Sequence, residues 1–197
     1  YKNSAYYVDS LIGKIVDTIE KSGKMENTII IIVGDHGEEF NEFGRFAHSY
    51  SFNNYQTSTP FIMHIPGKKN AQYNITSHAD IMPTIMDYIN LSEPFNKIFS
   101  GKSLIRYNEL NDYAIIQECQ IDERPKKFII ADKKSKMEFR LSGNKIESGK
   151  LTTINDEPFI SIDSKNEEKI NDNNFSDIKN ILLNKAKNNL NHFSKSN

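Results

Sequence analysis

The chain has 197 residues and a formal net charge of −1, with 25 Lys and Arg side chains set against 26 Asp and Glu side chains. This balance argues against a general nucleic-acid surface, because binding to a phosphate backbone requires a basic excess. The lone cysteine, Cys119, excludes an intrachain disulfide and a zinc site built on cysteines. No run approaches the roughly 18 apolar residues that would span a bilayer.

The first part of the chain has the pattern of an α/β protein. Apolar residues recur at helical spacing over residues 1–21, and Gly23 stands where glycine often ends a helix. The apolar run TIIIIV, residues 28–33, predicts a strand buried on both faces, as in a parallel sheet. A polar loop over 34–56 leads to a second strand within 59–67, which prolines delimit.

A further helix is predicted with Asp80 as its N-cap and Pro83 in its first turn. Short apolar segments joined by polar turns then predict an antiparallel sheet, and a helix is predicted to begin after Ser176. We therefore predict two domains. An α/β domain covers residues 1–110, and a small antiparallel subdomain with a C-terminal helix covers residues 111–197.

Asp35 and His36 come directly after the first predicted strand. In open α/β sheets ligands bind beyond the carboxyl ends of the strands. A carboxylate oxygen and an imidazole nitrogen suit Zn²⁺, Mn²⁺ or a related divalent ion, so the pair is a candidate metal site. The alternative is that Asp35 caps a turn and His36 is a half-buried structural histidine. Glu38 and Glu39 could support the ligands or begin a helix.

His48 lies twelve residues beyond His36, in a loop whose two ends are anchored by strands. Such a loop can fold back so that the imidazole hydrogen-bonds a non-bridging oxygen or protonates a leaving group. The alternative is that His48 packs among the aromatic residues around it. We expect a structural role for His64 and an exposed position for His192, and His78 stays ambiguous.

The chain resembles the sulfatases, within the alkaline-phosphatase-like superfamily. The resemblance lies in the order of its matches: the helix, strand and DHGE loop over residues 1–48, the strand TPFIMHIPG at 59–67, the helix SHADIMPTIMDYINL at 77–91, and the segment FSGKSL at 99–104. It implies the C-terminal portion of an alkaline-phosphatase-like sandwich, a mostly parallel sheet with flanking helices, followed by a small antiparallel sheet and a terminal helix.

The resemblance also implies roles for individual residues. Asp35 and His36 would hold a divalent metal (Ca²⁺, Mn²⁺ or Zn²⁺), and His48 would contact the sulfate or phosphate group of an ester substrate. Relatives with Asp-His at this place include membrane-anchored bacterial hydrolases and head-group transferases. We therefore expect the parent protein to act on sulfate or phosphate esters at the periplasmic or extracytoplasmic face of a bacterial membrane.

The family's nucleophile is absent from this sequence. It lies upstream within Cys/Ser-x-Pro-x-Arg or is a Thr or Ser, whereas Cys119 stands in QECQID. We therefore expect a soluble fragment that is inactive on its own and that self-associates through an exposed sheet edge. The alternative is a non-catalytic envelope module that binds a lipid head group or a partner protein.

Overall fold

The structure is a computed structural model. It describes residues 1–69, 71–73, 75–91, 99–106, 112–117, 127–142, 145–157, 161–162, 168–169, 180–181, 183–185 and 187. The helices and strands, in chain order, are α1 (Lys2–Lys21), β1 (Ile30–Val33), β2 (Glu39–Phe40), β3 (Phe46–Ala47), α2 (Asn54–Thr57), β4 (Phe61–His64), α3 (Ile81–Tyr88), β5 (Tyr113–Gln117), β6 (Lys127–Asp132), β7 (Ser135–Ser142), β8 (Lys145–Thr153), β9 (Ser161–Ile162) and β10 (Glu168–Lys169). These elements belong to two compact units, Tyr1–Asp35 with Thr59–Ala71, and His36–Ser58 with Gln72–Asn197.

The first unit contains α1, β1 and β4. The predicted N-terminal helix is confirmed, and Gly23 follows it in the left-handed conformation with φ of 67°. None of the residues of α1 is buried. His64 on β4 places Nε2 at 3.3 Å from the carbonyl oxygen of Met25, in keeping with the structural role predicted for it.

The expectation of a parallel neighbour for the first strand is wrong for the pair that the structure describes. Strand β1 is antiparallel to β4, with Ile30 opposite His64 and Val33 opposite Phe61. The strand is half-buried, and Val33 is 38% exposed, so it is not covered on both faces. A run of β-branched residues fits either orientation, and here the intervening loop returns the chain alongside the strand.

The second unit contains the antiparallel sheet that was predicted. Its strand order is β5-β6-β7-β8, and every neighbouring pair is antiparallel. Its buried core consists of Phe128, Ile130, Met137, Phe139 and Leu151. The Phe128 and Phe139 rings stack with centroids 5.2 Å apart. The predicted sheet is thus held together by alternating apolar residues that face one side.

Helix α3 is joined to residues 101–104 of the same unit. A 3-10 turn, His78–Asp80, precedes α3 and has Ser77 as its N-cap. The Asp80 carboxylate accepts hydrogen bonds from the backbone N–H groups of Ser77 and Lys102. Burial raises the pKa of Asp80, and these backbone bonds oppose that rise. Asp80 was predicted as the N-cap of α3. It does occupy that position, but its side chain makes no capping bond there.

Some predictions lie outside the described residues or stay untested. Cys119 and His192 are outside them, as is the proposed start of the terminal helix, although the described residues between 180 and 187 are helical. The domain boundary at residue 110 stays a prediction. Among the described helices, none is long and apolar enough to cross a membrane.

Candidate functional site

The loop between β1 and β4 is organised around one buried carboxylate. Glu39 is 1% exposed, and it accepts hydrogen bonds from the side chains of Asn53 (2.6 Å) and Gln56 (3.0 Å) and from the backbone N–H of Phe43 (3.2 Å). The Asn53 bond lowers the pKa of Glu39 most strongly. Burial opposes it, and the Gln56 and Phe43 bonds act in the same direction as Asn53. Glu39 lies on β2, so it does not begin a helix.

The loop brings His36 and His48 together. Their ring centroids are 3.9 Å apart and the ring planes are inclined by 33°. His36 Nδ1 lies 2.9 Å from the carbonyl oxygen of Gly37. Since a carbonyl can only accept, His36 donates from Nδ1, and in the neutral imidazole the lone pair is then on Nε2. A backbone carbonyl commonly orients a metal-binding histidine in this way.

Glu38 fixes the orientation of His48. Its Oε2 lies 3.0 Å from His48 Nδ1, and the two side chains are 26% and 41% exposed. An ionised carboxylate only accepts, so His48 donates from Nδ1 and directs Nε2 away from Glu38. At this exposure the bond contributes less than about 1 kcal/mol to stability, and its main effect is to select a tautomer.

The backbone on both sides of His48 is strained. Ala47 has φ of 90° and Ser49 has φ of 75°, values that residues with a Cβ rarely adopt. The Tyr50 hydroxyl donates to the Ala47 carbonyl oxygen at 3.0 Å, and the Arg45 guanidinium lies over the Tyr50 ring at 5.0 Å. Strained non-glycine residues that surrounding contacts hold in place occur preferentially at functional sites.

Gly37 lets two backbone segments meet. Its N–H donates to the Gln56 carbonyl oxygen at 2.9 Å. A Cβ on Gly37 would lie 2.0 Å from the Tyr55 carbonyl oxygen, so no larger residue fits without displacing α2. The structure shows that this glycine makes room for α2.

The donor chemistry of Asp35 and His36 fits a divalent cation, since Zn²⁺ and Mn²⁺ take carboxylate and imidazole ligands. The tautomer of His36 fits as well, because its lone pair is on Nε2. Within the part of the chain that the structure describes, no group of three or more His, Cys, Asp or Glu side chains converges as a metal site. A structural zinc site usually has about four ligands, so these two residues would form part of a coordination sphere.

The structure therefore brings some of the predicted site residues together and leaves others apart along the fold. Asp35 belongs to the first unit and His36, the next residue along the chain, belongs to the second. His36 and His48 share a contact, whereas His78 lies on a separate 3-10 turn. Sequence reasoning did not identify Asn53 and Gln56, which bond Glu39. The only signal for them was their place in the polar loop.

The fold is that of the alkaline-phosphatase-like α/β proteins. The structure of BT4656 in complex with its substrate D-glucosamine-2-N,6-O-disulfate matches with a TM-score of 0.68 at 15% identity, over 97% of this chain and 40% of that chain. The sulfatase family model matches residues 1–91. The family model and the fold together support a sulfatase-family, alkaline-phosphatase-like protein.

Curated relatives agree with this assignment. The inner membrane protein YejM of Salmonella typhimurium is 29% identical over 107 residues, which cover 53% of this chain and 18% of that protein. An arylsulfatase of Clostridium perfringens is 29% identical over 100 residues, which cover 48% of this chain and 21% of the enzyme. The match thus spans about a fifth of each relative's length.

Proposed function

We propose that this chain supplies the histidine loop, residues 36–48, and part of the metal site of a sulfatase-like enzyme that hydrolyses or transfers sulfate or phosphate esters. The observation that carries the proposal is the contact between the His36 and His48 rings. It supports a common site because it brings a candidate metal ligand next to a candidate substrate-binding group. The backbone strain on both sides of His48 gives independent support.

In this proposal Asp35 and His36 would hold a Ca²⁺, Mn²⁺ or Zn²⁺ ion. When bound, such an ion neutralises negative charge on the ester oxygens. His48 directs Nε2 toward the ester. In its doubly protonated form His48 donates from Nε2–H to a non-bridging oxygen, or it delivers that proton to the leaving-group oxygen and returns to the neutral Nδ1–H tautomer. Glu38 keeps the Nδ1 proton of His48 in place during both events.

The nucleophile comes, in this proposal, from a part of the protein beyond these 197 residues. The short share of each relative that the chain covers supports this, as does the lack of a Cys/Ser-x-Pro-x-Arg motif in the sequence. We further propose that the parent protein acts at the outer face of a bacterial inner membrane, in line with the name of the YejM relative. Accessibility of the parent to protease added outside spheroplasts tests this location.

Metal binding by the 197-residue chain tests the site directly. We expect Zn²⁺ or Mn²⁺ binding by isothermal titration calorimetry, and its loss in the double variant Asp35→Ala/His36→Ala. His64→Ala is the matched control, because it removes a histidine that bonds a backbone carbonyl in the first unit. Equal metal affinity of the double variant and the wild type would contradict the proposal.

Turnover separates the enzyme from a non-catalytic module that binds a lipid head group or a partner protein. We expect none for the 197-residue chain, and measurable hydrolysis of 4-methylumbelliferyl sulfate or bis(4-nitrophenyl) phosphate for the parent protein. In the parent, His48→Gln should lower kcat/KM by about 10²- to 10³-fold, since it removes a group that stabilises transition-state charge. A parent that turns over neither substrate would favour the binding module.

A further inference from the structure

A carboxylate from the antiparallel-sheet region holds α2 in place. Asp156 Oδ2 accepts the backbone N–H of Asn54 at 2.6 Å, across 102 positions of sequence. The Asn54 side chain donates to the carbonyl oxygen of Ile154 at 2.7 Å. Helix α2 is thereby bonded at its first residue to the turn that follows β8. These residues all belong to the second unit.

The position of Asp156 is itself fixed from the other side. Its Oδ1 accepts a hydrogen bond from Lys136 Nζ at 2.7 Å, and the Lys136 side chain is 3% exposed. Burial lowers the pKa of Lys136, and the bond and charge of Asp156 oppose that shift. The backbone of Asp156 is in the left-handed region with φ of 69°, which Asp tolerates better than most residues. Lys136 therefore needs this carboxylate in this place, because an unpaired buried charge is costly.

On its other side α2 contacts the histidine loop. The Gln56 carbonyl oxygen accepts the N–H of Gly37 at 2.9 Å, and the Gln56 side chain donates to Glu39 at 3.0 Å. Gly37 is covalently bonded to His36. Hydrogen bonds together with the backbone of α2 thus connect Lys136 and Asp156 to Gly37, the residue beside His36.

We infer that Asp156 is a positioning residue for the His36–His48 pair. It acts through α2, and without it the segment around Gly37 loses its support. Asp156 and Lys136 lie beyond residues 1–91, the part of the chain that matches the sulfatase family model. The antiparallel sheet is thereby part of the machinery of the histidine loop. The catalytic meaning of this inference rests on the proposed function, whereas the coupling itself does not.

Amide hydrogen exchange in the 197-residue chain tests the coupling without any ligand. In Asp156→Ala we expect the Gly37 amide to exchange about tenfold faster or more, as the loss of a hydrogen bond to a charged group implies. The ring protons of His36 and His48 should also move toward their free chemical shifts as the rings separate. Glu138→Gln is the matched control, because Glu138 pairs with Lys127 at 3.8 Å on the same sheet.

A second pair of variants removes the donor rather than the acceptor. Asn54 is the first residue of α2, where proline is tolerated, and Asn53 before it has extended backbone angles. Asn54→Pro deletes the N–H that Asp156 accepts, whereas Asn54→Ala deletes the side chain alone. We expect faster Gly37 exchange in Asn54→Pro than in Asn54→Ala. This comparison decides the matter if Asp156→Ala does not fold.

Rescue distinguishes a specific bond from general loosening of the sheet. An asparagine at 156 has one acceptor oxygen, for which Lys136 and Asn54 compete. Adding Lys136→Met to Asp156→Asn should therefore slow Gly37 exchange relative to Asp156→Asn alone. Unchanged Gly37 exchange and His ring shifts in folded Asp156→Ala, or equal exchange in Asn54→Pro and Asn54→Ala, would overturn the inference. Intact coupling in a chain that binds no metal would instead overturn the proposed function alone.

Discussion

His48 owes its orientation to Glu38, a residue ten positions earlier in the same loop. Glu38→Gln replaces an obligate acceptor with an amide that can also donate, so the preference for the Nδ1–H tautomer should be lost. We expect ¹⁵N NMR of the imidazole to show one dominant neutral tautomer in the wild type and a mixture in the variant. Glu26→Gln, at an exposed position in the first unit, should leave the His48 signals unchanged. A single unchanged tautomer in Glu38→Gln would show that other contacts orient the ring.

Gly37 is a second residue whose identity the loop requires. Gly37→Ala forces a Cβ against the Tyr55 carbonyl oxygen, and we expect it to lower the free energy of unfolding by about 1–3 kcal/mol. Gly13→Ala is the control. Gly13 lies within α1, and a Cβ there would meet no atom within 4 Å. The substitution should instead stabilise its helix by about 1 kcal/mol. Urea titration measures both changes, and a shift of the same sign in both variants would contradict the close approach seen at Gly37.

At the scale of elements, the loop that carries the two histidines depends on the ionised state of Glu39. The Asn53 bond and its companions hold the pKa of Glu39 below its ordinary value of about 4.3. The stabilisation that Glu39 provides is therefore fully present above that value, and it is lost as pH falls through the lower pKa of the folded state.

Acid titration followed by the NMR signals of Asn53 and Gln56 checks this dependence. We expect the loop to lose order below about pH 4.3. Glu39→Gln should weaken the loop already at neutral pH, because the amide group of the new side chain would face the Asn53 and Gln56 donors. The same variant should also lack the acid transition. Glu42→Gln, an exposed neighbour in the same loop, should keep the transition. An unchanged transition in Glu39→Gln would assign the acid sensitivity to another group.

The sequence predicted the elements better than their pairing. The periodicity of α1 and the apolar alternation of β5 to β8 were sufficient, because burial of one face produces those patterns locally. The apolar run of β1 suggested a parallel sheet, whereas the neighbour that the structure describes, β4, is antiparallel. Four β-branched residues carry no information about which strand lies beside them. The role of Asp156 could not be predicted from the sequence, because its hydrogen bond to Asn54 joins residues 102 positions apart.

The residues of the candidate site also fall into those that the sequence predicted and those that only the structure shows. Asp35, His36 and His48 were chosen from residue type and spacing, and the ring contact between the two histidines agrees with that choice. The residues that hold them, Glu39 and Asp156, depend on the folded arrangement of the loop and the sheet. Residue chemistry can be read locally, whereas support for it comes from contacts between distant segments.

At the scale of the whole molecule, helix α1 of the first unit exposes several large apolar side chains. On α1, Tyr7 is 63% exposed, Val8 51% and Ile15 59%. Among the described strands, β1 pairs with β4 alone, so one of its edges offers unpaired backbone groups. Such an edge is a template for pairing with another chain. We therefore propose that a second copy of this chain pairs along β1.

Sedimentation velocity over a range of concentrations tests this self-association. We expect a species of twice the 22.7 kDa monomer mass that grows with concentration. Val33→Lys should shift the midpoint of dimerisation to at least about tenfold higher concentration, because a charge on a strand edge opposes pairing. Val8→Lys makes the same change on α1 and should shift it much less. A strictly monomeric wild type would contradict the pairing, and equal effects of the two variants would move the contact from the strand edge to the helix face.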